Sequence, residues 1–167
     1  DSHKIWKLNS EAASSVKLLE VKAHNSNFDI LKNFKITEEV GITVTYEVIN
    51  SGSKIHSAFN FHNSSGVNIF DSHENNTQLY HYRKEKGIYE TTMWIGKNLF
   101  SEGIIIVGVA VVTHDPFVIH IHEKDAIAFN MVDDMSHSPT RGDYVGNYPG
   151  VIRPLLRWES KYLNNNK

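Results

Sequence analysis

The stretch Gly41-Ile42-Thr43-Val44-Thr45-Tyr46-Glu47-Val48 sets Ile42, Val44, Tyr46 and Val48 in strict alternation with Thr43, Thr45 and Glu47. Successive side chains of a strand point to opposite faces, so this period of two describes a strand with one buried face and one wetted face. Asn50-Ser51-Gly52-Ser53 supplies the turn that follows, and the pattern repeats at once. Ile55, Ser57, Phe59 and Phe61 fall on one face, with His56, Ala58, Asn60 and His62 on the other.

Reading outward from this pair gives further strands at Val16 to Val21 and, as a short extended piece, Phe28 to Leu31. Asn63-Ser64-Ser65-Gly66 turns the chain into Val67 to Asp71. Leu79 to Arg83, Gly87 to Ile95, Ile104 to Thr113, Phe117 to His122, Asp125 to Val132 and a last short strand at Val151 to Trp158 complete the set. Lys97 to Gly103 has room for one helical turn closed by Gly103, and Ser136 to Pro149 reads as an irregular loop. About nine or ten short strands without a long amphipathic helix predict an all-β fold, an immunoglobulin-like antiparallel β-sandwich, with a jelly roll as the alternative. The expected division is 1-15 as an N-terminal linker, 16-160 as the sandwich and 161-167 as a solvated tail.

Composition narrows the function. The chain has 167 residues, enough for one core. It has no cysteine, which removes a disulfide framework, a thiolate zinc site and a cysteine nucleophile. With 17 basic and 19 acidic residues it lacks the footprint of a nucleic-acid binder. Its longest apolar run, Ile104 to Val112, is nine residues of β-branched character, about half of the roughly 20 a membrane-spanning helix needs. The start at Asp1 shows no signal-peptide pattern and suggests a domain within a longer chain.

No catalytic motif stands out. There is no G-x-S-x-G elbow, and Gly96-Lys97-Asn98 lacks both the earlier glycine and the hydroxyl residue of a phosphate-binding loop. His120-Ile121-His122 places two imidazoles on one face of a strand, but the glutamate spacing of a cupin-type metal site is absent, so neither metal nor cofactor is expected. Arg141-Gly142-Asp143 matches an adhesion tripeptide too short to carry weight.

A saccharide-binding face is the remaining reading. Sugars are held by aromatic rings against their apolar faces and by side-chain hydrogen bonds to their hydroxyls. The polar face of the 55 to 62 strand offers His56, Asn60 and His62, and the 88 to 95 strand turns Thr92 and Trp94 outward. Tyr80 and Tyr82 share an alternate face, and Gly108 and Ala110 leave room above the sheet. These residues are expected to form one shallow groove.

Several blocks, in order, resemble the C-terminal domain of Wzt, the ATP-binding subunit of ABC exporters for O-antigen polysaccharide. They are Gly66 to Asp71, Asn75-Asn76-Thr77, Asn98 to Gly103, Asp125 to Asp133, and Arg141-Gly142-Asp143-Tyr144 leading to Gly150-Val151-Ile152-Arg153-Pro154-Leu155-Leu156-Arg157-Trp158. The resemblance implies an immunoglobulin-like sandwich that binds the exported O-antigen polysaccharide without catalysis. It also implies attachment to the nucleotide-binding domain of the same subunit, contact with the transporter's membrane subunit, a homodimer, and a cytoplasmic place at the inner membrane. The alternative is a protein-interaction sandwich that docks the transporter or a glycosyltransferase.

Overall fold

The computed structural model describes residues 1–6 and 15–164, so most of the expected linker and the last three residues of the expected tail lie outside the described residues. Nine strands run through them: β1 (His3–Ile5), β2 (Val16–His24), β3 (Asn33–Lys35), β4 (Val40–Val48), β5 (His56–Asn63), β6 (Asn68–His73), β7 (Gly87–Ile95), β8 (Gly103–His114) and β9 (Phe117–Val132). They form two sheets, ordered β1-β2-β4-β7 and β3-β9-β8-β5-β6. The chain is an all-β sandwich, as the alternation in β4 and β5 requires.

The inner faces supply the core. Val40, Ile42, Val44, Tyr46 and Val48 of β4 meet Phe59 and Phe61 of β5 and Ile105, Val107, Val109 and Val111 of β8, all buried. In β2 the pairing with β4 slips between Leu18 and Glu20. That bulge lets Val16, Leu18, Val21 and Ala23 all turn inward although their spacing is not a clean period of two. An aromatic chain links Phe70, Phe61, Phe100, Phe129 and Phe34, with successive centroids 4.6, 6.0, 6.4 and 5.5 Å apart. Each such side chain contributes about 1.5–3 kcal/mol by leaving water.

Several local expectations are corrected. His3–Ile5 pairs antiparallel with Lys22 to Glu20, so the expected linker contains a strand of the sheet. β3 runs parallel to β9, which makes the second sheet mixed instead of purely antiparallel. Leu79 to Arg83 is no strand: Gln78–His81 forms a single 3-10 turn, closed by the Tyr82 N–H on the Leu79 carbonyl. Lys97 to Gly103 holds no helical turn, because Asn98 sits at φ 58° and Phe100 bridges Ile152 instead. That bridge is all that remains of the expected strand at Val151 to Trp158.

The expected strands 117–122 and 125–132 are one 16-residue strand, β9. Against β8, Val107 pairs with Ile127 but Val109 pairs with Glu123, so Lys124, Asp125 and Ala126 face Gly108 alone. A Cβ on Gly108 would stand 2.7 Å from the Lys124 carbonyl oxygen and 2.0 Å from Asn60 Oδ1. Glycine is therefore what allows the bulge and the Asn60 side chain to close over this point.

A buried ionic clamp fixes the long loop after β9. Asp133 Oδ2 accepts from Arg141 Nε at 2.7 Å, Arg141 Nη2 at 2.6 Å and Arg153 Nη1 at 2.8 Å, with all three side chains at most 5% exposed. Arg141 also donates to the carbonyls of Tyr144 and Gly146, and Arg153 stacks over Tyr148. Burial opposes ionisation of Asp133, but bonds from Arg141, the Met135 N–H and Arg153 hold its carboxyl below the ordinary range. Arg141 is thus turned inward, and Arg141-Gly142-Asp143 cannot be presented as an adhesive tripeptide.

Candidate functional site

The outer face of the five-stranded sheet carries a trough of about 320 Å³. Its floor is small, with Ala58 of β5 paired with Ala110 of β8. Its sides are Asp71 and His73 of β6 and, across β8, Phe117, Ile119 and His122 of β9. Phe117 and Ile119 are more than half exposed, so apolar surface meets solvent beside an amide, a carboxylate and two imidazoles. Those are the two kinds of group that a sugar's hydrophobic face and its hydroxyls require.

Strand register explains why these side chains converge. Ala110 pairs with His122, and Val111 with Ile121, but Val112 pairs with Ile119, which leaves His120 as an extra residue. His120 turns to Thr113, its Nε2 2.8 Å from Oγ1, and burial lowers its pKa. The two imidazoles expected on one face are thus parted, with His122 in the trough and His120 beside it. Among the described residues, no group of three or more His, Cys, Asp or Glu is placed to hold a metal ion.

The seven residues expected in one groove occupy different surfaces. Asn60 lies in the trough. His62, further along β5, reaches Asp125 of the bulge at 3.1 Å. His56 is 2% exposed and packs between Tyr80 and His114, with ring centroids 4.3 and 4.7 Å away. Tyr80 sits on the 3-10 turn with its hydroxyl 3.2 Å from His114 Nδ1, and His114 Nε2 lies 3.0 Å from His73 Nδ1. Tyr82 is exposed just beyond that turn. Thr92 and Trp94 belong to β7 in the other sheet, where Thr92 bonds Thr43 and Trp94 meets His24 and Phe28 edge-on. Asn60 and Trp94 line separate cavities: Asn60 belongs to the trough, and Trp94 to a cleft on the far side of β6.

A histidine cluster closes the end of the trough. Burial and the neighbouring His114 and Lys84 push the His56 pKa down to about 4. Between His73 and His114 one ring nitrogen donates and the other accepts. Lys84, buried beneath, donates to the Ile55 carbonyl and lies 4.0 Å from the Glu74 carboxylate. Asp71, His73, Phe117 and Ile119 were not singled out from sequence, since their convergence depends on sheet order and on the two irregularities in β9.

No protein-family model matches the chain, and no curated protein matches it in sequence. Among the described residues, no helix is long and apolar enough to cross a membrane. In three dimensions the chain is similar to the crystal structure of the C-terminal domain of Wzt, with a TM-score of 0.69, 8% identity, and coverage of 90% of this chain and 86% of that one, and the two share a β-sandwich fold.

Proposed function

We propose that the chain is a non-catalytic carbohydrate-binding module that holds an O-antigen polysaccharide, near its non-reducing end, and couples it to export by an ABC transporter. The observation that carries this reading is the trough over Ala58 and Ala110, bordered by Phe117 and Ile119 on one side and by Asn60, Asp71 and His122 as hydrogen-bonding groups. The fold shared with the C-terminal domain of Wzt supports it. On this reading the module works in the cytoplasm beside the inner membrane, joined to a nucleotide-binding domain and near the membrane subunit.

A second copy of the chain is the partner that the C-terminal segment supports. After Leu155, whose N–H is held by the Asn98 carbonyl at 3.1 Å, the chain to Leu163 has no regular secondary structure. It leaves Leu156 63%, Trp158 88% and Tyr162 81% exposed. A run of large apolar side chains left bare marks an interaction surface. Two modules in a homodimer gain avidity where each site binds in the range of about micromolar to millimolar.

Calorimetric titration with O-polysaccharide from the source strain tests the trough. Asn60→Ala and His122→Ala are each expected to weaken binding about tenfold while leaving the unfolding midpoint nearly unchanged. Undiminished affinity in both variants would remove the trough from the reading.

A further inference from the structure

A second cavity, of about 310 Å³, opens between the edge strands β6 and β7, where the two sheets part. Ser57, Ser72, Glu74 and Thr77 line one side, and Thr92 and Trp94 of β7 the other. We infer that this cleft is a second saccharide subsite, continuous with the trough across β6. The inference rests on the carbohydrate-binding reading and extends it to a longer stretch of glycan.

Two observations carry it. The first is the hydrogen-bonding state of the walls. His24 Nδ1 donates to the Asn25 carbonyl at 2.9 Å, so in the neutral ring His24 Nε2 accepts from Thr43 Oγ1 at 2.7 Å. Thr43 Oγ1 must then accept from Thr92 Oγ1, also at 2.7 Å. The Thr92 proton is spent, and toward the cleft this hydroxyl can only accept. Glu74 is likewise an acceptor, held by the Ser57 N–H at 3.0 Å and the Thr77 hydroxyl at 2.9 Å, with Lys84 as its counter-charge. The acceptors at Thr92 and Glu74, beside Ser72 and Asn76, suit a ligand that carries many hydroxyls, as a neutral sugar does.

The second is an aromatic platform at the rim. Phe28 takes the left-handed conformation at φ 63°, uncommon for a bulky residue. Asn25 fixes that turn by accepting from the Asn27 and Asp29 N–H groups. The turn stacks Phe28 on His24 at 4.7 Å and sets it edge-on to Trp94 at 5.7 Å, with Phe28 57% and Trp94 42% exposed. Continuity follows from Phe59 and His73, which border both the cleft and the trough.

The test uses the three indole N–H resonances of Trp6, Trp94 and Trp158, with the amide signals, as the full chain is titrated with the O-polysaccharide of its source strain. A saturable shift of the Trp94 indole and the Thr92 amide is expected, together with shifts at Ala110 and His122. Thr92→Val, which keeps the β-branched shape, and Trp94→Ala are each expected to weaken binding about tenfold, with Trp94→Phe retaining most of it. Shifts at Ala110 and His122 with Trp94 unmoved would overturn the second subsite and leave the trough in place. No shift anywhere would overturn both.

Discussion

Replacing Asp133 by Ala removes the single carboxylate that two buried guanidinium groups share. Three charge-assisted bonds of 2.6 to 2.8 Å are lost, and Arg141 and Arg153 are left in a site where neither is more than 5% exposed. Removing one partner of a buried ion pair costs about 3–5 kcal/mol, most of it the uncompensated charge. That is a large part of the roughly 5–15 kcal/mol that holds a domain together, and for a chain of this size it lowers Tm by about 6 to 20 °C. Urea unfolding followed by tryptophan fluorescence measures the loss. Because the folded state depresses the Asp133 pKa, the clamp's contribution is complete above the ordinary carboxylate value of about 3.9 and is lost as pH falls through the lower folded value. The gap between wild type and Asp133→Ala should therefore be full at neutral pH and close in strong acid. A triple replacement of Asp133, Arg141 and Arg153 by Leu, Met and Met should recover much of the stability. A loss below about 1 kcal/mol for Asp133→Ala would refute the reasoning, since it would mean that the guanidinium groups are solvated.

Other outcomes follow from single features. Gly108→Ala places a methyl 2.0 Å from Asn60 Oδ1 and 2.7 Å from a backbone carbonyl; it should cost about 1–3 kcal/mol in chemical denaturation and weaken glycan binding by displacing Asn60. His56 is neutral in the fold with its pKa pushed down to about 4, against about 6.5 when unfolded, so its contribution is present above pH 6.5 and lost as pH falls toward 4. His56→Phe should flatten the fall in Tm over that window. If the exposed C-terminal segment pairs two copies, the full chain should sediment as a dimer and truncation after Pro154, which removes Trp158, Tyr162 and Leu163, should give a monomer; a monomeric full chain, or a truncated chain that still dimerises, would contradict that role.

The architecture was legible because β4, β5 and β7 alternate cleanly and bring Ile42, Phe59 and Ile95 into the core, although the outward-facing Thr43 and His56 are covered as well. Local propensity was less informative where pairing decides. Val16 to Ala23 needs a bulge to bring its apolar residues to one face, and β9 runs unbroken through Lys124 and Asp125 because β8 continues beside it. His3–Ile5 is a strand only because β2 lies alongside. The candidate site was legible by residue type and not by place. Asn60 and the small residues Gly108 and Ala110 fall together as alternation implies, whereas Trp94 belongs to the other sheet, a fact that strand alternation alone does not encode. His122 stood out as an imidazole on a strand, but its neighbour His120 left that face through a one-residue bulge.

Everything proposed for this sandwich depends on its holding a glycan. The most direct measurement is calorimetric titration of the full chain with the O-polysaccharide of its source strain, beside an O-polysaccharide of unrelated structure at the same concentration. Saturable binding to the first alone, with a Kd between about 1 μM and 1 mM, is the predicted result. Absence of heat with both at millimolar repeat units would contradict the account and turn the exposed surfaces toward a protein partner.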